Sequence, residues 1–179
     1  MRESVSLPAS ARILIGAIAG VVGTAAMTSA MLRLIDAYPR SERYPLPPRE
    51  VVEAAQRRLG IAASAVDVTI AAHFAFGAAV GSALALVRPR PSAVAYAAGA
   101  VLVWAGSYLG LFPKLGLLTP ATRHPARRNL LMVVAHLVWG SVAALTTREL
   151  MTARRTIFGG GELKDLPAAS PRAGREFGA

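Results

Sequence analysis

The chain contains no cysteine. Disulfides, thiolate metal sites and cysteine nucleophiles are excluded, and cysteine usage says nothing about redox compartment. Acidic residues are scarce, with 10 Asp and Glu against 20 Lys and Arg in 179 residues, and they are nearly absent from the apolar stretches. Paired carboxylates for hydrolysis or metal binding are therefore missing where a buried site would need them. There is no G-x-S-x-G elbow, no phosphate-binding P-loop, no dinucleotide-binding fingerprint and no H-E-x-x-H. No catalytic constellation and no metal-ligand set emerges, so the chain reads as non-enzymatic, with no cofactor demanded by its motifs.

Charge of either sign is sparse, at 17% of residues, while 54% are hydrophobic and the mean hydropathy is +0.44. An ordinary soluble domain is roughly 45–50% apolar. The apolar residues fall in four blocks, at about residues 13–35, 68–87, 93–112 and 130–150. Each approaches the roughly 20 residues that span a bilayer. The fold expected is an all-α integral membrane bundle of four transmembrane helices within residues 1–155. Residues 156–179 carry Gly159, Gly160 and Gly161, scattered charge and no sustained periodicity, and read as a disordered polar tail.

The first block competes with a signal peptide, because Arg2 and Arg12 precede it and Thr28-Ser29-Ala30 resembles a cleavage site. A signal h-region is about 7–15 residues long. This run continues through Met31, Leu32, Leu34 and Ile35, which favours a retained helix. After it, Pro39, Pro45, Pro47 and Pro48 exclude a regular helix up to about residue 48. A short amphipathic surface helix is expected over 49–59. It has Glu50 and Glu53 early, Arg57 and Arg58 late, an apolar stripe of Val51, Val52, Ala55 and Leu59, and Gly60 as its stop. At the end of the first block, Arg33 and Asp36 are spaced for a local pair.

The formal net charge is +10. In a soluble chain that would suggest nucleic acid. Here the arginines lie between the apolar blocks and no nucleic-acid signature is present, so anionic membrane lipid is the expected partner and nucleic acid is not. In the loop "TRHPARRN", Arg123, His124, Arg127 and Arg128 invite lipid-headgroup or phosphate binding. The simpler reading is ordinary charge flanking a helix end. The basic residues nearly balance across the two faces. The short Arg88–Pro91 turn and the tail lean the orientation towards both termini in the cytoplasm.

Two stretches echo each other: "AAHFAFGAAVG" from Ala71 and "VAHLVWGSVAA" from Val134. Each places a glycine one turn after a histidine, Gly77 after His73 and Gly140 after His136. Counted from the block starts, both histidines lie roughly 9 Å deep, where they could face each other. Gly81 and Ala144 continue the small-residue face, and Gly16/Gly20 and Gly106/Gly110 repeat the spacing. Such faces bring helix backbones together and suit self-association into a homo-oligomer. With Tyr38-Pro39 and Phe112-Pro113 ending blocks one and three, two helix–loop–helix repeats are a further reading.

The histidines have three readings. They are polar glue between helices; or they line a path or site for a small solute or protons; or they are the axial ligands of a haem between two helices.

At "PLPPR" (Pro45 to Arg49), "GLLTPA" (Gly116 to Ala121) and "AHLVWG" (Ala135 to Gly140) the chain resembles the YagU-like family of bacterial inner-membrane proteins. The resemblance covers about half of the chain. It implies a multi-pass protein of the bacterial inner membrane and carries no catalytic residue across. The function expected is a non-enzymatic inner-membrane protein that conducts or binds a small solute or protons through its intramembrane histidines. The alternatives are a structural or assembly partner of other membrane proteins and a bis-His haem electron carrier.

Overall fold

A computed structural model describes residues 7–40, 43, 47–88 and 90–156. The described residues are helical, with no strand among them. The helices are α1 (Ala9–Asp36), α2 (Pro47–Leu59), α3 (Ala65–Val87), α4 (Ala93–Gly106), α5 (Phe112–Lys114) and α6 (Ala126–Thr156). A π-helical turn, Ser107–Leu111, joins α4 to α5, so the three run as one continuous span. Four helices are long and apolar enough to cross a membrane: α1, α3, the α4–α5 span and α6. The fold is that of a multi-pass membrane protein.

Every apolar block is longer as a helix than as a hydropathic run, because polar residues at the ends still form the helix. α3 starts at Ala65, three residues before the expected Val68. Ser64 caps it, its Oγ accepting from the Asp67 amide at 3.4 Å, while Asp67 sits in the first turn against the helix dipole. α6 starts at Ala126 and runs to Thr156, against the expected 130–150. The carbonyl of Pro125 accepts from the amides of Arg128 and Asn129, which closes its first turn. α2 begins at Pro47 although prolines were expected to delay it to Arg49. Proline is tolerated in a first turn, where its missing N–H would have no intrahelical partner. The third span passes through Pro113 to Lys114. Pro113 cannot donate to the Leu109 carbonyl, and the turn before it widens, with the Phe112 amide bonding back to the Ser107 carbonyl.

The spans form a bent row in the order α3, α1, α6, α4. α1 packs against α3 on one side and α6 on the other, and α4 packs against α6. Small residues allow this. A Cβ on Gly16 or Gly20 would collide with the α3 backbone at Gly81 or Gly77, and the reverse holds for Gly81. At Gly140 of α6 a Cβ would lie 2.5 Å from the Ala97 Cα of α4. The α1–α6 contact is fixed by a buried bond, Trp139 Nε1 donating to Thr24 Oγ1 at 3.0 Å. The Thr24 hydroxyl itself donates to the Gly20 carbonyl at 2.8 Å.

The two antiparallel pairs, α1/α3 and α4/α6, are the units that a helix–loop–helix repeat would contain. They are not packed symmetrically. α1 and α6 meet along much of their length, whereas α3 and α4, though joined by a short turn, diverge from it. The gap between them is the opening of the site described below.

At the end of the bundle that holds the long loops, α2 lies against α3, with Pro47 and Val52 buried. Of its expected stripe, Leu59 is instead 71% exposed. Asp36 does not pair with Arg33. Arg43 takes it at 3.3 Å and also donates to the Asp36 and Tyr38 carbonyls, capping the last turn of α1. At the opposite end Arg12 donates to the Ala85 carbonyl at 3.1 Å and to the Leu86 carbonyl, capping α3. The expected polar tail lies outside the described residues from 157 onward, as does Pro89 in the basic turn.

Candidate functional site

The diverging α3 and α4 leave a cavity of about 280 Å³, floored by α1 and α6. α2 crosses its end through Pro47, Pro48, Val51 and Val52. Most of the lining is apolar, including Met27, Met31, Phe76, Val80 and Val103. No Asp, Glu, Lys or Arg lines it.

His73 and His136 both line this cavity, one from α3 and one from α6. Counted from the observed helix starts they lie about 12 Å and 15 Å in, so they keep a similar depth. Their hydrogen bonds differ. His73 Nε2 stands 3.4 Å from Thr28 Oγ1. The Thr28 hydroxyl proton already goes to the Thr24 carbonyl at 2.8 Å. Thr28 can then only accept, and His73 Nε2 carries the proton. This is the interhelical bond expected of polar glue, joining α3 to α1.

His136 makes no such bond. Its Nδ1 stands 2.7 Å from the Met132 carbonyl of its own helix. A carbonyl only accepts, so Nδ1 carries the proton, and in the neutral ring Nε2 is a bare acceptor. Among the described residues Nε2 has no hydrogen-bond partner. The two rings are held in opposite tautomers by their local partners. A haem held by both rings would need both Nε2 atoms, and His73 directs its own to Thr28.

The glycines separate. Gly77 lines the cavity and packs α3 on α1, whereas Gly140 lies outside it, against Tyr96 and Ala97 of α4. Gly16, Gly20, Gly77, Gly81 and Gly140 all serve contacts within the chain. Gly106 and Gly110 alone of the expected faces meet open space.

Trp104, Tyr108 and Ser107 are among the cavity residues that the sequence analysis passes over. Trp104 Nε1 and the Tyr108 hydroxyl are buried polar atoms with no hydrogen-bond partner among the described residues. The Trp104 ring centroid lies 5.7 Å from that of Tyr108 and 6.2 Å from that of His136. The π-helical turn places Tyr108, which is only 5% exposed, while Leu109 and Leu111 face outward. A signal was available. Tyr and Trp in an apolar run bring polar groups that normally find partners, and Pro113 in the same run marks a local break in the helix.

The basic loop is divided by the fold. Arg128 is turned inward, with its side chain 11% exposed, and pairs with Glu50 of α2 at 2.7 Å. Its guanidinium lies beside the Tyr108 hydroxyl. His124 Nε2 is held by Thr119, 3.0 Å from its carbonyl and 3.2 Å from its hydroxyl. Arg123 and Arg127 are exposed at the bundle end, so of the expected headgroup set they are the two that face outward.

Among the described residues no cluster of three or more His, Asp or Glu side chains could hold a metal ion. No family model, curated protein or solved structure matches the chain.

Proposed function

We propose that this is a non-enzymatic binding protein of the bacterial inner membrane that holds a small ligand in the cavity between α3 and α4. The observation that carries this reading is an apolar cavity of about 280 Å³ between α3 and α4 that both intramembrane histidines, His73 and His136, line. A mostly apolar recess with a few polar groups on its wall is the usual form of a small-ligand site. Binding is favoured over conduction. Beyond Thr24 and Gly77 the interior is closed by the Trp139–Thr24 bond and by the α1–α3 glycine contacts. That packing supports a recess that ends inside the bundle rather than a path to the other face. The resemblance to YagU-like proteins and the cytoplasmic placement of both termini are part of the same proposal.

The absence of cysteine supplies the test. His73→Cys and His136→Cys should react with N-ethylmaleimide far faster than Ala143→Cys, which replaces a fully buried residue at a packed interface. Equal, slow reaction at all three positions would mean that no accessible cavity exists, and the reading would fail. A membrane-impermeant maleimide that labelled either histidine position from both sides of sealed vesicles would instead establish a through-path. An absorption spectrum of the purified protein without a Soret band removes the haem alternative.

A further inference from the structure

Each cavity histidine has one ring nitrogen committed and one bare. His136 Nδ1–H is held by the Met132 carbonyl at 2.7 Å, which leaves Nε2 bare. His73 Nε2–H faces Thr28 Oγ1 at 3.4 Å, which leaves Nδ1 bare. Neither bare nitrogen is among the buried polar atoms without partners, so both are open to a molecule the size of water. Histidines that bind metal have this form. One nitrogen is a free Lewis base, and the other donates its proton to a carbonyl or another fixed acceptor. Both rings line the one cavity, from α3 and α6.

Two histidines are too few to hold an ion, and the rest of the lining decides which ion it could complete. Met27 and Met31 line the cavity from α1, and Met132 lines it from α6. Met27 and Met31 are four residues apart, as are Met132 and His136, so each pair shares a helix face. A thioether sits on three rotatable bonds and can be turned to an ion in the recess. Among the described residues no carboxylate lines the cavity, and the chain has no thiolate. Calcium and magnesium need oxygen ligands, and zinc sites are completed by thiolate, carboxylate or further histidine. Thioether beside imidazole is the soft set that selects Cu(I). Charge favours the same ion. A cation here has no anion to pair with, and the cost of desolvating it rises with the square of its charge, so a monovalent ion is far less costly than a divalent one. The Trp104 ring, 6.2 Å from that of His136, adds an aromatic face that attracts a cation.

We infer that the ligand of this cavity is a soft monovalent metal ion, Cu(I), held by His73 and His136 and completed by the thioethers of Met27, Met31 and Met132. This rests on the binding reading above and names its ligand.

The probe is Cu(I) itself, offered without oxygen to the untagged full chain in detergent against bicinchoninate, whose coloured complex fades as the protein takes the ion. The chain should take up Cu(I) saturably and should not hold Zn(II) comparably. Trp104 and Trp139 both line the cavity, so Ag(I), the redox-silent counterpart, should lower Trp emission saturably. Met27→Leu and Met132→Leu nearly conserve volume. Each should weaken Cu(I) by more than about tenfold, a loss that even an outer partner of a metal site can cause. Met151→Leu, outside the cavity, should leave the affinity unchanged. Circular dichroism confirms that each variant is folded. The two cavity variants lie on different helices, so if one fails to fold the other decides.

No uptake of Cu(I) overturns the inference. So does Zn(II) binding of equal strength, or Cu(I) binding that the folded cavity variants leave unchanged, since the thioethers would then hold nothing. If His73→Cys and His136→Cys still react quickly with N-ethylmaleimide, the cavity reading survives and only the ligand falls. If they do not react, both fall.

Discussion

At the scale of single residues, the glycines of α1 and α3 matter for what they lack. Gly20→Ala would drive a methyl group into the Gly77 backbone, an overpacking that costs about 1–3 kcal/mol. Gly106 meets nothing within 4 Å, so Gly106→Ala should leave stability unchanged or raise it by about 0.5–1 kcal/mol through helix propensity. Thermal unfolding of both variants in detergent, followed by circular dichroism, checks the pair. A similar loss in both would mean that Gly106 is also in a contact, as in a homo-oligomer. Trp139→Phe removes the bond to Thr24, whose hydroxyl still donates within its own helix. The loss expected from the bond is about 0.6 kcal/mol, the average for interhelical bonds in a membrane, together with whatever the smaller ring forfeits in packing.

At the scale of elements, α2 behaves as a strap over the cavity end. Two contacts fasten it: Glu50 to Arg128, and Arg58 donating to the Leu115 carbonyl beyond α5. The Glu50–Arg128 pair is partly shielded, so its coupling should exceed that of a fully exposed pair without approaching a deeply buried one. A double-mutant cycle with Glu50→Gln and Arg128→Gln should give a coupling of about 1 kcal/mol in unfolding. A coupling indistinguishable from zero would mean that α2 is held by its apolar face and the Arg58–Leu115 bond.

The π-helical turn is the other decisive element. Pro113→Ala restores a donor to the Leu109 carbonyl and allows an ordinary α-helical register. Such a change rotates Tyr108 relative to Trp104. A shift in Trp emission is expected, and unchanged spectra would show that packing, not proline, sets the turn.

These elements also show what can be read from the chain alone. The four spans were legible because roughly 20 apolar residues in a row have few other uses. Their ends were not, because Ala126-Arg127-Arg128-Asn129 and Ala65-Val66-Asp67 are polar or short yet form helix once Pro125 and Ser64 begin it. Ser64 with Asp67 three residues on is a start signal that hydropathy passes over. The two histidines stood out in the chain because they are polar in apolar surroundings, and both line one cavity. Trp104 and Tyr108 were not, because their apolar bodies blend into the block. Their unpaired atoms become visible only when no neighbour is found. The intramolecular use of the glycines was equally hidden, since small-residue spacing is the same whether the partner helix belongs to the chain or to a second copy.

At the scale of the whole molecule, the spans place the turn before α4 and the 115–125 loop at opposite ends of the bundle. Ser92→Cys and Arg123→Cys should therefore label from opposite faces of sealed vesicles, with Ser92 cytoplasmic if both termini are inside. Labelling of both from one face would contradict the four-span arrangement itself. With that orientation, Arg123 and Arg127 would lie at the non-cytoplasmic surface. The charge-flanking reading gives Arg123 little effect on the stability of the bundle, and lipid retention in native mass spectrometry would reveal a headgroup role for either arginine.

The row order has a consequence for biogenesis. α1 is made first and can dock α3 as soon as that helix is threaded into the bilayer, through the glycine faces and the Arg12 cap. α4 has no such welcome, because its main neighbour is α6, the last span to be synthesised. Until α6 arrives, Thr24 keeps its proton safely on the Gly20 carbonyl, and only its lone pair waits for Trp139. The nascent protein thus passes through a stage with a finished hairpin, an unaccompanied third helix and an open flank on α1, and the final span closes all of them in one event.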